Sequence, residues 1–269
     1  MRVAVVGHVE WVRFARVDRL PLAGEIIQAV ESWSEAAGGG GVASGQLARL
    51  AGSCTLFTSL GREELGGRAL AELSALGVRV EARRHSEPQR RGFTFVDADG
   101  ERTITIIGEK HVPRGADPLP WDELSSADGV YFVSGDAAAL RAARNARALV
   151  ATARVLPVLA EAGVTLDALV RSGRDPSEAY ESGDLEPPPC VVVTTAGAEG
   201  GAWTTAEGRS GTYEPAPLPG PLEDVYGAGD SFAAGLTYGL ARRDVIEDAV
   251  AFAAQCASAA LTRRGAHGR

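Results

Sequence analysis

Few architectures accommodate the grammar of residues 129–195, in which short β-branched runs alternate with apolar-periodic segments. Residues 130–134, 149–152, 165–170 and 191–195 read as strands, and residues 137–148 and 155–162 read as the helices between them. Strands joined by helices pair in parallel, because a helical crossover returns the chain to the same edge. The pattern therefore predicts an α/β fold with a doubly wound, mostly parallel central sheet flanked by helices, and it places ligands at the carboxyl ends of the strands. Asp136 and Asp175 fall at such ends. Residues 2–6 form a further buried strand that stops at Gly7.

Between these strands lie two departures from the alternation. Residues 9–17 and 25–33 have strand spacing interrupted by Pro21 and Gly24, and residues 92–96 and 102–107 flank a hairpin turn at 97–100. Segments 10–35 and 91–107 are together expected to form a small β lid. The glycine run 38–41 reads as a loop feeding a helix over 42–50, followed by a strand over 54–59 and a helix over 63–76.

The chemistry concentrates in Asp224-Val225-Tyr226-Gly227-Ala228-Gly229-Asp230-Ser231-Phe232, where small residues open directly into an apolar helix. Amides of Gly227, Ala228 and Gly229 can converge on an anion there, with the positive end of the helix dipole behind them. Asp230 would sit in the first turn, placed to take a proton from a hydroxyl attacking a bound phosphorus. The same residues also make an ordinary capped loop. Thr195-Ala196-Gly197-Ala198-Glu199-Gly200 follows a strand and reads either as a nucleotide loop or as a turn. Asp175-Pro176-Ser177-Glu178 reads either as a capping box or as part of a metal site.

Composition narrows the field. With 269 residues the chain is expected to form one domain, and 27 basic against 35 acidic residues give no nucleic-acid or anionic-membrane surface. The arginine pairs, Arg90-Arg91 among them, are scattered, and most read as solvated faces. Lys110 is the sole lysine, which excludes a Walker-A loop because that loop needs a lysine after its glycines. Cys54, Cys190 and Cys256 read as buried free thiols of a cytoplasmic protein. No apolar stretch suggests a membrane span, and the histidines read as isolated from any metal cluster.

The Asp224–Phe232 string resembles the D-T-x-G-A-G-D-[ST]-F signature of the ribokinase-like (PfkB) kinases, and further matches extend along nearly the whole chain. They include Pro21 to Glu25, the glycine run, the Thr195 loop and the ending Thr262-Arg263-Arg264-Gly265-Ala266. The resemblance implies ATP-dependent transfer of a phosphoryl group to a hydroxymethyl group of a sugar or sugar-like acceptor, with Mg²⁺. Asp230 would be the base, residues 227–229 the anion hole, and Thr195, Gly197, Gly200 and Ala254 the nucleotide side. Asp175 and Glu178 would serve the metal, and Asp224 a monovalent cation such as K⁺, although Val225 departs from the usual Thr. Glu10, Val12, Gly39, Gly40, Ala43 and Asp136 would line the acceptor pocket.

Val12 and Ala43 stand where the family holds sugar hydroxyls with Asp and Asn, so an acceptor with an apolar edge is expected and free ribose or fructose should be poor. A nucleoside stacking on Trp11 is an alternative, and a catalytically silent ligand-binding regulator is another. The exposed apolar lid strands predict a homodimer through the lids.

Overall fold

Two sheets carry the chain, and residues 1–268 are described in this computed structural model. The larger sheet contains β1 (Val3–Val6), β4 (Cys54–Gly61), β5 (Val78–His85), β8 (Gly129–Phe132), β9 (Leu149–Thr152), β10 (Ala168–Ser172), β11 (Val191–Thr195), β12 (Gly201–Thr205) and β13 (Ser210–Tyr213). Their order is β13-β12-β11-β10-β9-β8-β1-β4-β5, parallel from β11 to β5 and antiparallel at the β12–β13 edge. The smaller sheet, ordered β3-β2-β6-β7, contains β2 (Glu10–Arg16), β3 (Glu31–Ala37), β6 (Arg91–Val96) and β7 (Arg102–Ile107). This is the expected lid.

Hydrophobic burial explains the central strands. All four residues of β1 are buried, as are those of β8 and β9, because helices cover both faces. Burying one such valine side chain stabilises the fold by about 1.5–3 kcal/mol. One face packs on α1 (Gly38–Ala51), α2 (Glu64–Ala75), α5 (Ala228–Ala241) and α6 (Ile246–Leu261). The other packs on α3 (Ala137–Ala143) and α4 (Leu156–Ala162). A separate small core of Val12, Phe14, Ala37, Val42, Val96 and Tyr226 fastens the lid to the main body. Among the described residues no helix is long and apolar enough to cross a membrane.

Several expected boundaries move. The glycine run is the first turn of α1 instead of a loop: a Cβ at Gly40 would lie 2.6 Å from the His8 carbonyl oxygen, so the helix can start against the β1–β2 turn only without side chains. The second lid strand begins at Glu31 instead of residue 25, since Ile26 is 100% exposed and has nothing to pack on. Helix α3 stops at Ala143, five residues before the expected end at 148. Strands β5, β12 and β13 were not legible as alternating patterns: β5, for example, carries Arg79, Glu81, Arg83 and Arg84 on the sheet edge.

Candidate active site

The carboxyl ends of β1 and β8 come together with the starts of α1 and α5: Val133 and Asp230 both face Gly39, and Gly40 N–H donates to the His8 carbonyl at 3.0 Å. Gly227, with φ of 76°, turns the chain into α5. Among the described residues, the N–H groups of Gly227, Ala228, Gly229 and Asp230 find no protein acceptor, whereas Ser231 N–H already donates to the Gly227 carbonyl at 2.9 Å. These amides form the unsatisfied, positive end of a helix. Asp230 stands within the first turn, as expected from the sequence. Burial pushes its carboxyl up to about 6, opposed by Arg154 and Arg102 and assisted by Glu178 and Glu10.

Opposite Asp230 is the start of α1. A Cβ at Gly39 would lie 3.0 Å from Asp230 Oδ1, and one at Gly38 would lie 3.1 Å from Glu10 Cγ. The two glycines thus let the buried Glu10 and the half-buried Asp230 approach the same stretch of backbone. Tyr226 secures the arrangement, since its hydroxyl accepts from Gly38 N–H at 3.4 Å and its ring packs edge-on against Phe14 at 4.9 Å.

Glu10 is held among basic groups. Arg90 Nε lies 2.9 Å from its Oε1 and His8 Nε2 lies 3.7 Å away. Burial raises the Glu10 pKa, against the pull of Arg90 and Lys110. His8 is pushed well down by burial and by Lys110, and its Nδ1 is 3.0 Å from Ser134 Oγ. The Arg90-Arg91 pair is therefore not simply a solvated face: Arg90 turns into the site, and only Arg91 stays exposed.

Val12 and Ala43 require a correction. Both are 0% exposed, Val12 within the small lid core and Ala43 within the main core, so neither offers a surface to an acceptor. The side chains gathered around Gly38 and Gly39, Glu10 with its partner Arg90 and Asp230, are charged where an apolar edge was expected. Trp11 alternates to the face of β2 opposite Val12 and packs on the main core. Asp136 caps α3, and its Oδ1 accepts from Gly115 N–H at 2.9 Å and Ala139 N–H at 2.8 Å.

Thr195, Gly197 and Gly200 form the turn between antiparallel β11 and β12, closed by Ala196 N–H donating to the Gly200 carbonyl at 2.8 Å and Gly200 N–H to the Gly197 carbonyl at 3.1 Å. Ala254 is buried in the main core. Asp175 and Glu178 share a partner that sequence reasoning missed. Arg154, just beyond β9, pairs with Asp175 Oδ2 at 3.0 Å and with Glu178 Oε1. Glu178 Oε2 also accepts from Ser172 N–H at 2.7 Å, and Asp175 Oδ1 accepts from Ser177 N–H at 2.9 Å. The capping reading of Asp175 holds, and every oxygen of the pair is engaged.

Asp224 is wholly buried and staples the loop to the tail, accepting from Tyr226 N–H at 2.8 Å and Gly265 N–H at 2.6 Å. Burial raises its pKa against both hydrogen bonds. Two smaller expectations fail nearby. Cys190 is exposed, unlike Cys54 and Cys256. His267 is not isolated, because it joins Glu35 and Glu72 in a cluster whose ligand atoms lie within 4.8 Å of one another. Burial raises the Glu35 carboxyl to about 7 while Ala266 N–H and Trp33 Nε1 donate to it, so the group ties β3 to the tail.

Residues 1–182 and 185–268 match the family model described as pfkB family carbohydrate kinase. An ATP-dependent ribose-1-phosphate kinase of Halopiger xanaduensis is 29% identical over 286 residues, covering 99% of this chain and 94% of that protein. The structure resembles a ribokinase of Arabidopsis thaliana solved with ribose and ATP, with TM-score 0.75 and 20% identity over 98% of this chain and 93% of that one. It also resembles an adenosine kinase of Sinorhizobium meliloti, with TM-score 0.79 and 19% identity over 98% and 95% of the two chains. The anion loop, the lid and the match along the sequence lead to one conclusion: this chain belongs to the pfkB family of carbohydrate kinases and is an ATP-dependent phosphotransferase of ribokinase-like fold.

Proposed function

We propose that the chain transfers the γ-phosphate of ATP to the primary hydroxyl of a ribose unit, either free or substituted at C1. The observation that carries this reading is the Asp230 carboxyl, desolvated enough to be raised to about 6, beside the unengaged amides at the start of α5. Ionised near neutral pH, it accepts the hydroxyl proton, while the amides at 227–230 stabilise negative charge on the transferring group. The relatives named as acting on ribose 1-phosphate and ribose support a ribose unit over a hexose. ADP release with ATP and a panel of ribose, ribose 1-phosphate, fructose and adenosine tests the reading. Stimulation by fructose alone contradicts it.

Magnesium would neutralise the nucleotide phosphates, and Glu178 fits a role through water better than direct ligation because Arg154 and Ser172 already engage its oxygens. A potassium ion under the anion loop would draw on Asp224, whose two hydrogen bonds leave further lone pairs. The use of ATP suits a cytoplasmic setting.

The lid supports a homodimer. All six residues of the edge strand β7 are exposed, including Ile104, Ile106 and Ile107, and pairing with a second lid removes both the open edge and the apolar surface. Sedimentation at micromolar concentration is expected to give the dimer mass. A monomer mass contradicts the pairing.

A further inference from the structure

We propose that Arg90 and Lys110 form an anion receptor at the far end of the acceptor site, so that the preferred acceptor is a ribose unit carrying phosphate at C1. This rests on the kinase reading above and specifies its substrate class. Arg90 immediately precedes β6, whose Arg91 is in register with Trp11 of β2, and Lys110 lies three residues past Ile107, the β7 residue in register with Arg91, so both ends of the hairpin lie on the side where β2 begins with Glu10. Arg90 Nε is close to Glu10 Oε1 at 2.9 Å, yet it is buried and its N–H meets no acceptor in hydrogen-bonding alignment. Lys110 has no ion pair among the described residues. Although its residue is exposed as a whole, its ammonium is lowered by burial and then by Arg90, with Glu10, Arg154 and Asp230 also within electrostatic reach.

Two cations are thus brought together against one carboxylate whose own ionisation burial disfavours. The neighbouring His8 adds no negative charge and Ser134 only a hydroxyl. Like charges held together repel until an anion lies between them, and a phosphate dianion offers oxygen acceptors for both. The geometry also gives the direction of the acceptor. Glu10 faces Gly38 while Asp230 faces Gly39, and consecutive Cα atoms are ~3.8 Å apart. A pentose laid over these glycines can therefore present its hydroxymethyl group to Asp230 and its C1 substituent to Arg90 and Lys110. With a neutral sugar or a nucleoside the two cations have only Glu10 to share between them.

Steady-state kinetics with ribose 1-phosphate, ribose and adenosine, on wild type, Lys110→Met and Arg90→Gln, test this receptor. Wild type is expected to favour ribose 1-phosphate over ribose in kcat/KM by about 100-fold or more, consistent with two charge-assisted contacts. Each substitution should shrink that ratio by about tenfold or more, chiefly through KM for ribose 1-phosphate, and added salt should raise the same KM in wild type. Calorimetric titration with each acceptor, in the presence of a non-hydrolysable ATP analogue, reports the same preference without turnover. Equal use of ribose and ribose 1-phosphate overturns the receptor, as does preference for adenosine or an unchanged ratio in both variants. In those cases Asp230-dependent transfer to ribose or adenosine would leave the kinase reading intact. Selective, Lys110-dependent binding of ribose 1-phosphate without phosphoryl transfer would support the receptor and refute the kinase reading.

Discussion

Replacing Asp230 by Asn is expected to lower kcat by roughly 10²–10⁴-fold while leaving ATP affinity nearly unchanged, because the substitution removes the proton acceptor and keeps the side-chain shape. In wild type, log kcat/KM for the acceptor should rise with pH up to about 6, where the Asp230 carboxyl ionises, and level off above it. The sign for stability is the reverse. Burial raises the folded-state value from 3.8, so the group's stabilising contribution is present at low pH and is lost as pH rises through about 6. Asp230→Asn should therefore melt higher than wild type at neutral pH, with the difference vanishing as pH falls below that window. A loss of only a few-fold, or a flat profile across pH 5–8, would remove Asp230 from the role of base.

Arg154→Ala is expected to lower kcat by about 10²–10³-fold, the usual loss when one preorganised charge facing the transferring group is removed. The guanidinium lies within electrostatic reach of Asp230 and binds both Asp175 and Glu178. It links the Asp175 and Glu178 carboxylates to the start of α5. Removing it also strands Glu178, which is buried, so a fall in melting temperature is expected as well. Arg154→Lys keeps the charge without the planar guanidinium, whose Nη2 meets both carboxylates, and should recover part of kcat. A lower melting temperature with unchanged kcat would make Arg154 a structural residue only.

The parts of the site that were legible in the sequence are those built from contiguous backbone. The string from Asp224 to Phe232 places Asp230, the glycine turn and α5 together because all three requirements fall within one loop and one helical turn. Strand–helix alternation likewise revealed the parallel sheet. The lid edges were less clear because Ile26 and Val30 carry an apolar pattern without a surface to bury against.

The misread residues are those whose roles depend on partners far along the chain. Val12 and Ala43 occupy family positions in the sequence, yet local packing closes over both. Arg154 gave no local signal, since its partners lie at 175 and 178, beyond another strand. Arg90 looks like half of an ordinary basic pair until β2 and β6 bring Glu10 beside it. Lys110 offered the one usable hint, as the sole lysine in a chain otherwise served by arginine.

The most direct test of phosphoryl transfer at Asp230 is phosphorus NMR of a reaction containing the wild-type protein, ATP, Mg²⁺ and ribose 1-phosphate. A new phosphate ester should appear at the primary hydroxyl in step with loss of the ATP γ-phosphate, and Asp230→Asn should abolish it. Release of inorganic phosphate without a new ester, or an ester formed equally well by Asp230→Asn, would contradict the account.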